Sequence, residues 1–128
     1  MQDIKSYTIL NNGVKMPWFG FGTYKAENGN TVIQSVKEAL RIGYRHIDTA
    51  SYYGNEEGVG TAIKESGIPR EEIFLVSKVW NSDQGYEKTL KSFENSIKKL
   101  GTDYLDLYLV HWPQSLTKET WKALEKLY

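Results

Sequence analysis

The chain contains no cysteine, so neither a disulfide framework nor a thiolate-bound metal centre can form in it. It has no excess of either charge: Lys plus Arg total 16, Asp plus Glu total 16, and the two signs are interspersed. No basic face is built for nucleic acid or for an anionic membrane surface, and a small molecule is the expected partner. No apolar run reaches the ~20 residues that a membrane-spanning helix needs. The opening Met1-Gln2-Asp3-Ile4-Lys5 lacks the basic segment and apolar stretch of a secretory leader, so the expected location is the cytoplasm. Low-complexity tracts and linkers are also missing, which suits one continuous fold.

What is present is an alternation of strand-like and helix-like patterns. Asn12-Gly13 separates two short apolar stretches between Tyr7 and Met16, the local signal of a β-hairpin, so residues 1–16 are read as a hairpin ahead of the main fold. Residues 17–128 then read as four βα units of about 30 residues each. Trp18–Phe21 is the expected first strand, and Val32, Ile33, Val36, Ala39 and Leu40 recur at helical spacing up to Gly43. Arg45–Asp48 and Glu56–Ser66 form the second unit, closed by Gly67. Ile73–Ser77 is the third strand. Its helix is expected to be capped by Ser82 or Asp83, to carry Leu90, Phe93, Ile97 and Leu100 on one face, and to stop at Gly101. Leu105–Val110 and Lys118–Tyr128 make the fourth unit.

Such alternation implies an α/β fold with a parallel sheet and right-handed crossovers, either open and doubly wound or curled into a barrel. A dinucleotide-binding doubly wound sheet should carry G-x-G-x-x-G after its first strand. Here Gly20 and Gly22 are followed by Lys25 in the third place, and Gly58 and Gly60 by Ile63, so neither run fits. The barrel is the better reading.

In either architecture, residues at the carboxyl ends of parallel strands converge on one face. Asp48 ends the second strand, Tyr53 lies in its loop, Lys78 follows the third, and His111 follows the fourth. A phenol with an ordinary pKa of about 10 moves protons poorly near neutrality unless a cation stabilises its anion, and Lys78 is suited to that. A carboxylate such as Asp48 would keep that lysine charged in a partly dry site. A histidine on the same rim can hold a carbonyl oxygen by a hydrogen bond. The set suits proton delivery to a carbonyl oxygen while a hydride donor attacks the carbon. No side chain supplies hydride, so a nicotinamide cofactor is the natural complement.

Each residue has a plainer reading alone. Asp48 could cap a helix, Lys78 could be a solvated strand-end lysine, Tyr53 a rim residue and His111 a hydrogen-bonded core histidine. Four such choices would rarely reproduce these chemistries at matching strand ends. His46 and His111 are the only imidazoles, too few for a histidine metal site, and no metal is expected. Glu56 and Glu57 read as solvated charges at a helix start, and Lys98-Lys99 as a solvated helix end.

Four segments in order carry a family resemblance: Gly22-Thr23-Tyr24; Asp48-Thr49-Ala50-Ser51-Tyr52-Tyr53-Gly54-Asn55-Glu56; Leu75-Val76-Ser77-Lys78-Val79-Trp80-Asn81; and Asp103 through His111-Trp112-Pro113. On these the chain resembles the aldo-keto reductases, and Trp80 to Gly85 looks most like the small bacterial 2,5-diketo-gluconate reductase-type members. The resemblance implies a (β/α)8 TIM-barrel type fold that uses NADPH to reduce aldehydes and ketones. It assigns Tyr53 as general acid, Lys78 as the cation stabilising its phenolate, Asp48 as the partner of Lys78, and His111 as the orienter of the carbonyl. Tyr53 rather than Tyr52 matches, standing five residues after the aspartate and directly before glycine. Gly22, Thr23, Tyr24 and Asp48 are implied at the nicotinamide end of the cofactor, with Tyr24, Trp80, Trp112 and His111 around the substrate.

The family barrel continues through four more βα units, whose loops hold the rest of the cofactor. The expectation is therefore the first four βα units, a half barrel, preceded by the hairpin. A non-catalytic half-barrel that pairs with itself or with a missing half through open strand edges is the alternative. A doubly wound sheet rearranged to cover those edges is a weaker one.

Overall fold

The computed structural model describes residues 3–128; Met1 and Gln2, counted above in the hairpin segment, lie outside the described residues. Strands β1 (Tyr7–Ile9) and β2 (Lys15–Pro17) form an antiparallel hairpin with Tyr7 opposite Pro17 and Ile9 opposite Lys15. Its connection is longer than a two-residue turn. The Gly13 N–H donates to Leu10 O, the Leu10 N–H donates to Val14 O, and Gly13 takes a left-handed φ of 83° that suits glycine.

Four further strands, β3 (Phe21–Gly22), β4 (His46–Asp48), β5 (Phe74–Val79) and β6 (Leu107–Val110), make one parallel sheet in sequential order. Helices α1 (Asn30–Arg41), α2 (Glu56–Ser66), α3 (Tyr86–Leu100) and α4 (Thr117–Leu127) follow them in turn, each packed on the next. The parallel sheet is the one the alternation predicts, and it forms half of a barrel.

Two expectations are corrected. Trp18–Phe21 is not the first strand: the chain there still follows the hairpin, with the Trp18 N–H donating to Ser6 O, and pairing with β4 begins only at Phe21. The third helix is not capped by Ser82 or Asp83. Those residues occupy a separate 3-10 turn, Asn81–Asp83, and Gly85 with a φ of 110° redirects the chain before Tyr86. On that helix Thr89, Ser92 and Ser96 are buried more deeply than Leu90, Phe93 and Ile97, because the helix presses flat against its neighbours and small side chains permit close approach.

The main core lies between helices and sheet. It joins Val32, Val36 and Leu40 of α1, Val59, Ala62 and Ile63 of α2, Ile47, Ile73 and Leu75 at the sheet, and Leu100 of α3. Alternation along the strands turns the other residues to the opposite, concave face. Gly22, Asp48, Val76 and Leu107 lie level in one row there, and Lys78 and Leu109 in the next. Two glycines bring α2 close to its neighbours: a Cβ at Gly58 would fall 2.3 Å from Val32 Cγ1, and one at Gly60 2.3 Å from the Leu100 carbonyl oxygen. Among the described residues, β3 and β6 each pair on one side only. No described helix is long and apolar enough to cross a membrane.

Candidate active site

Parallel register decides which side chains meet above the strand ends. Asp48 closes β4, and Lys78 stands two residues beyond Val76, its neighbour across the ladder, so both side chains rise from the concave face. Lys78 Nζ donates to Asp48 Oδ1 at 2.5 Å, to the Thr49 carbonyl oxygen at 2.9 Å and to Tyr53 Oη at 3.5 Å. An ammonium has three protons, and here three acceptors surround it. Tyr53 comes from a 3-10 turn, Ser51–Tyr53, that ends at left-handed Gly54 and is pinned by the Ser51 hydroxyl donating to Lys78 O.

His111 follows β6, its N–H donating to Val79 O. Its ring stands edge-on to Tyr53, with centroids 5.8 Å apart. Its Nδ1 is buried with no protein partner. Burial first and the nearby Lys78 charge second hold the imidazole below the ordinary histidine value, with Asp48 opposing. The lowered value favours the uncharged ring, and a neutral imidazole can hydrogen-bond a carbonyl without giving up a proton to it.

Aromatic rings wall this cluster. Tyr52 stacks on Trp80 at 3.8 Å, Trp80 meets His111 edge-on at 4.9 Å, Trp112 stacks beside His111 at 6.2 Å, and Tyr24 lies 5.1 Å from Tyr53. Tyr24 and Trp112 are 60% and 58% exposed, so they border open space. Nothing lies within 4 Å of a Cβ built on Gly22. Thr23 is different. It is buried, its N–H and Oγ1 both donate to Asp48 O, and its carbonyl accepts from Asn55, so it shapes the site from beneath.

Three residues escaped sequence reasoning. Asn55 is fully buried and makes four hydrogen bonds to the loops around Thr23 and Thr49. Gln84 is buried and donates through Nε2 to Trp112 O at 2.6 Å, tying the loop after β6 to the segment after β5. Glu56 is not the solvated charge expected: it is 3% exposed and accepts from Ser77 Oγ at 2.6 Å. A polar residue at a helix start reads the same whether it faces water or sheet, so only the contact with Ser77 of β5 reveals this. His46 holds a hydrogen bond to Pro17 O from its place in β4, as a strand histidine should.

The aldo/keto reductase family model matches residues 19–128. The chain belongs to the aldo/keto reductase family. It is 62% identical over 126 residues to glyoxal reductase of Bacillus subtilis (strain 168), covering 98% of this chain and 46% of that protein. Among solved structures, a Bombyx mori aldo-keto reductase in complex with NADP superposes with a TM-score of 0.87 at 35% identity, covering 94% of this chain and 46% of that one. A putative 2,5-diketo-D-gluconic acid reductase B gives 0.86 at 41% identity, covering 94% and 43%. The chain thus spans about half the length of the aldo-keto reductases it matches.

Proposed function

We propose that this chain is the amino-terminal half of a cytoplasmic, NADPH-dependent aldo-keto reductase that converts small aldehydes or ketones to alcohols. In it residues 1–16 form the hairpin cap and 17–128 the first four βα units. One observation carries the reading: a single ammonium, Lys78 Nζ, touches both Asp48 and Tyr53 Oη beside a row of aromatic rings, with His111 facing the phenol. Family membership and the NADP complex of the Bombyx mori relative support it.

The open strand end at Gly22, with Thr23, Tyr24 and Asp48, fits the nicotinamide end of the cofactor, which when bound supplies the hydride. His111 holds the substrate oxygen, and Trp80, Trp112 and Tyr24 offer apolar faces beside the carbonyl. As negative charge develops on that oxygen, Tyr53 gives it the phenolic proton. The phenolate left behind is stabilised by Lys78, whose own charge is balanced by Asp48. Hydride and proton together make the alcohol.

The decisive test is Tyr53→Phe in the full-length protein. Turnover of a simple aldehyde should fall by about 10²- to 10⁴-fold, while quenching of tryptophan fluorescence by NADPH persists. Turnover equal to the wild type would remove Tyr53 from this role.

The one-sided pairing of β3 and β6 favours a second reading for the 128-residue chain by itself. Open parallel edges, with Leu109 36% exposed on the concave face, favour self-association of the half-barrel.

A further inference from the structure

Asn55 stands at the N-cap position of α2, where an asparagine side chain ordinarily accepts from the first helical amides, yet it makes no such bond. Its side chain turns back into the loops instead. Nδ2 donates to Thr23 O and Ala26 O, both at 2.9 Å, and Oδ1 accepts from Thr49 Oγ1 at 3.0 Å and Thr23 Oγ1 at 3.5 Å. The two bonded carbonyls are the first and last of a turn closed by the Ala26 N–H donating to Thr23 O. In that turn Lys25 holds a left-handed φ of 64°, the only non-glycine to do so among the described residues. A left-handed lysine is strained by about 1–2 kcal/mol and persists only where its surroundings enforce it.

The braced groups are the ones that aim the proton relay. Tyr24, inside the turn, sets its ring 5.1 Å from that of Tyr53. Thr49, on the other side of Asn55, offers its carbonyl to Lys78 Nζ. With Asp48 and Thr49 O fixing two protons of the ammonium, the third is left for Tyr53 Oη.

We propose that Asn55 is a positioning residue for proton transfer: it clamps the strained Thr23–Ala26 turn and the Thr49 backbone together, so that Tyr24 covers Tyr53 and Lys78 points its remaining proton at the phenol. This inference rests on the carbonyl-reductase reading above. It adds a residue that touches neither substrate nor cofactor and acts through two loops.

The test is made in the full-length protein with NADPH and a simple aldehyde. Asn55→Ser should keep the wild-type circular dichroism spectrum and lower kcat about tenfold. The KM for the aldehyde should change less than twofold, and the alkaline limb of the kcat pH profile should be displaced. Thr49→Val, which deletes one of the four bonds and leaves the backbone in place, should act in the same direction to a smaller extent, and it decides the matter if Asn55→Ser does not fold. Wild-type kcat and an unmoved pH profile in the folded variant would overturn the inference. So would a fall in activity that merely tracks the folded fraction. Should wild-type protein show no reduction, or Tyr53→Phe lose none, the underlying carbonyl-reductase reading fails and the positioning role with it; full Tyr53 dependence beside an unaffected Asn55→Ser overturns the positioning role alone.

Discussion

Lys78 Nζ lies 2.5 Å from Asp48 Oδ1 across two adjacent parallel strands, with 14% of the lysine side chain and 32% of the aspartate side chain exposed. The pair is held at a strand-end rim, where water reaches the carboxylate more than the ammonium. Asp48→Asn keeps the shape and removes the charge, leaving a mostly enclosed ammonium with weaker acceptors. The urea midpoint should fall by an amount equivalent to about 1–3 kcal/mol, below the penalty for a fully buried pair. In the full-length protein turnover should fall with it. An unchanged midpoint would show that solvent already screens the pair.

His111 gives a pH prediction with a definite sign. Burial, then Lys78, holds its folded value below the ordinary ~6.5. As pH falls, the unfolded chain therefore takes up the proton first. The His111 contribution to stability is complete above about pH 6.5 and is lost as pH drops through the lower folded value. The ring resonances of His111, followed by NMR, should titrate below the ordinary midpoint, and Lys78→Met should raise that midpoint without restoring it fully, since burial remains. A midpoint at or above the ordinary value would contradict the lowered value that partial burial and Lys78 impose.

How far the sequence reveals this site depends on how each residue reaches it. Asp48, Lys78 and His111 sit on or just beyond strand ends, and strands of a parallel sheet all deliver their ends to one face, so chain order alone brings them together. Glycine at 67 ends α2 in a left-handed conformation, which a helix-stop rule finds. Asn55 was hidden because its type and place at a helix start satisfy a capping rule that the side chain does not follow. Gly58 and Gly60 serve interhelical contact, a property of two elements that a single stretch of chain does not display. The beginning of α3 is not legible because Ser82 and Asp83 carry a capping pattern that the 3-10 turn consumes first.

The open edges of the 128-residue chain lead to a prediction about association. Sedimentation of the purified chain should show dimers or larger species whose proportion rises with concentration, and Leu109→Lys, a charge placed on the exposed concave face, should shift them toward monomer. A wild-type monomer at every concentration, unfolding cooperatively, would mean that the sheet tolerates its edges unpaired.

Gly60→Ala opposes two known effects. In a helix interior alanine is favoured over glycine by about 1 kcal/mol, so the substitution alone should stabilise α2. The new Cβ, however, would stand 2.3 Å from Leu100 O, 2.6 Å from Leu100 C and 2.8 Å from Leu100 Cα. These are backbone atoms at the end of α3, and no rotamer change can move them aside. Relief requires α2 and α3 to separate, which opens the contacts of Val59, Ala62 and Ile63 in the core. Overpacking of this kind costs about 1–3 kcal/mol, enough to outweigh the gain in helix propensity. The thermal midpoint should fall, while Thr61→Ala, one residue along on the exposed face of the same helix, should stay within about 0.5 kcal/mol of wild type. A raised midpoint for Gly60→Ala would mean that the α2–α3 contact yields more easily than its backbone approach implies.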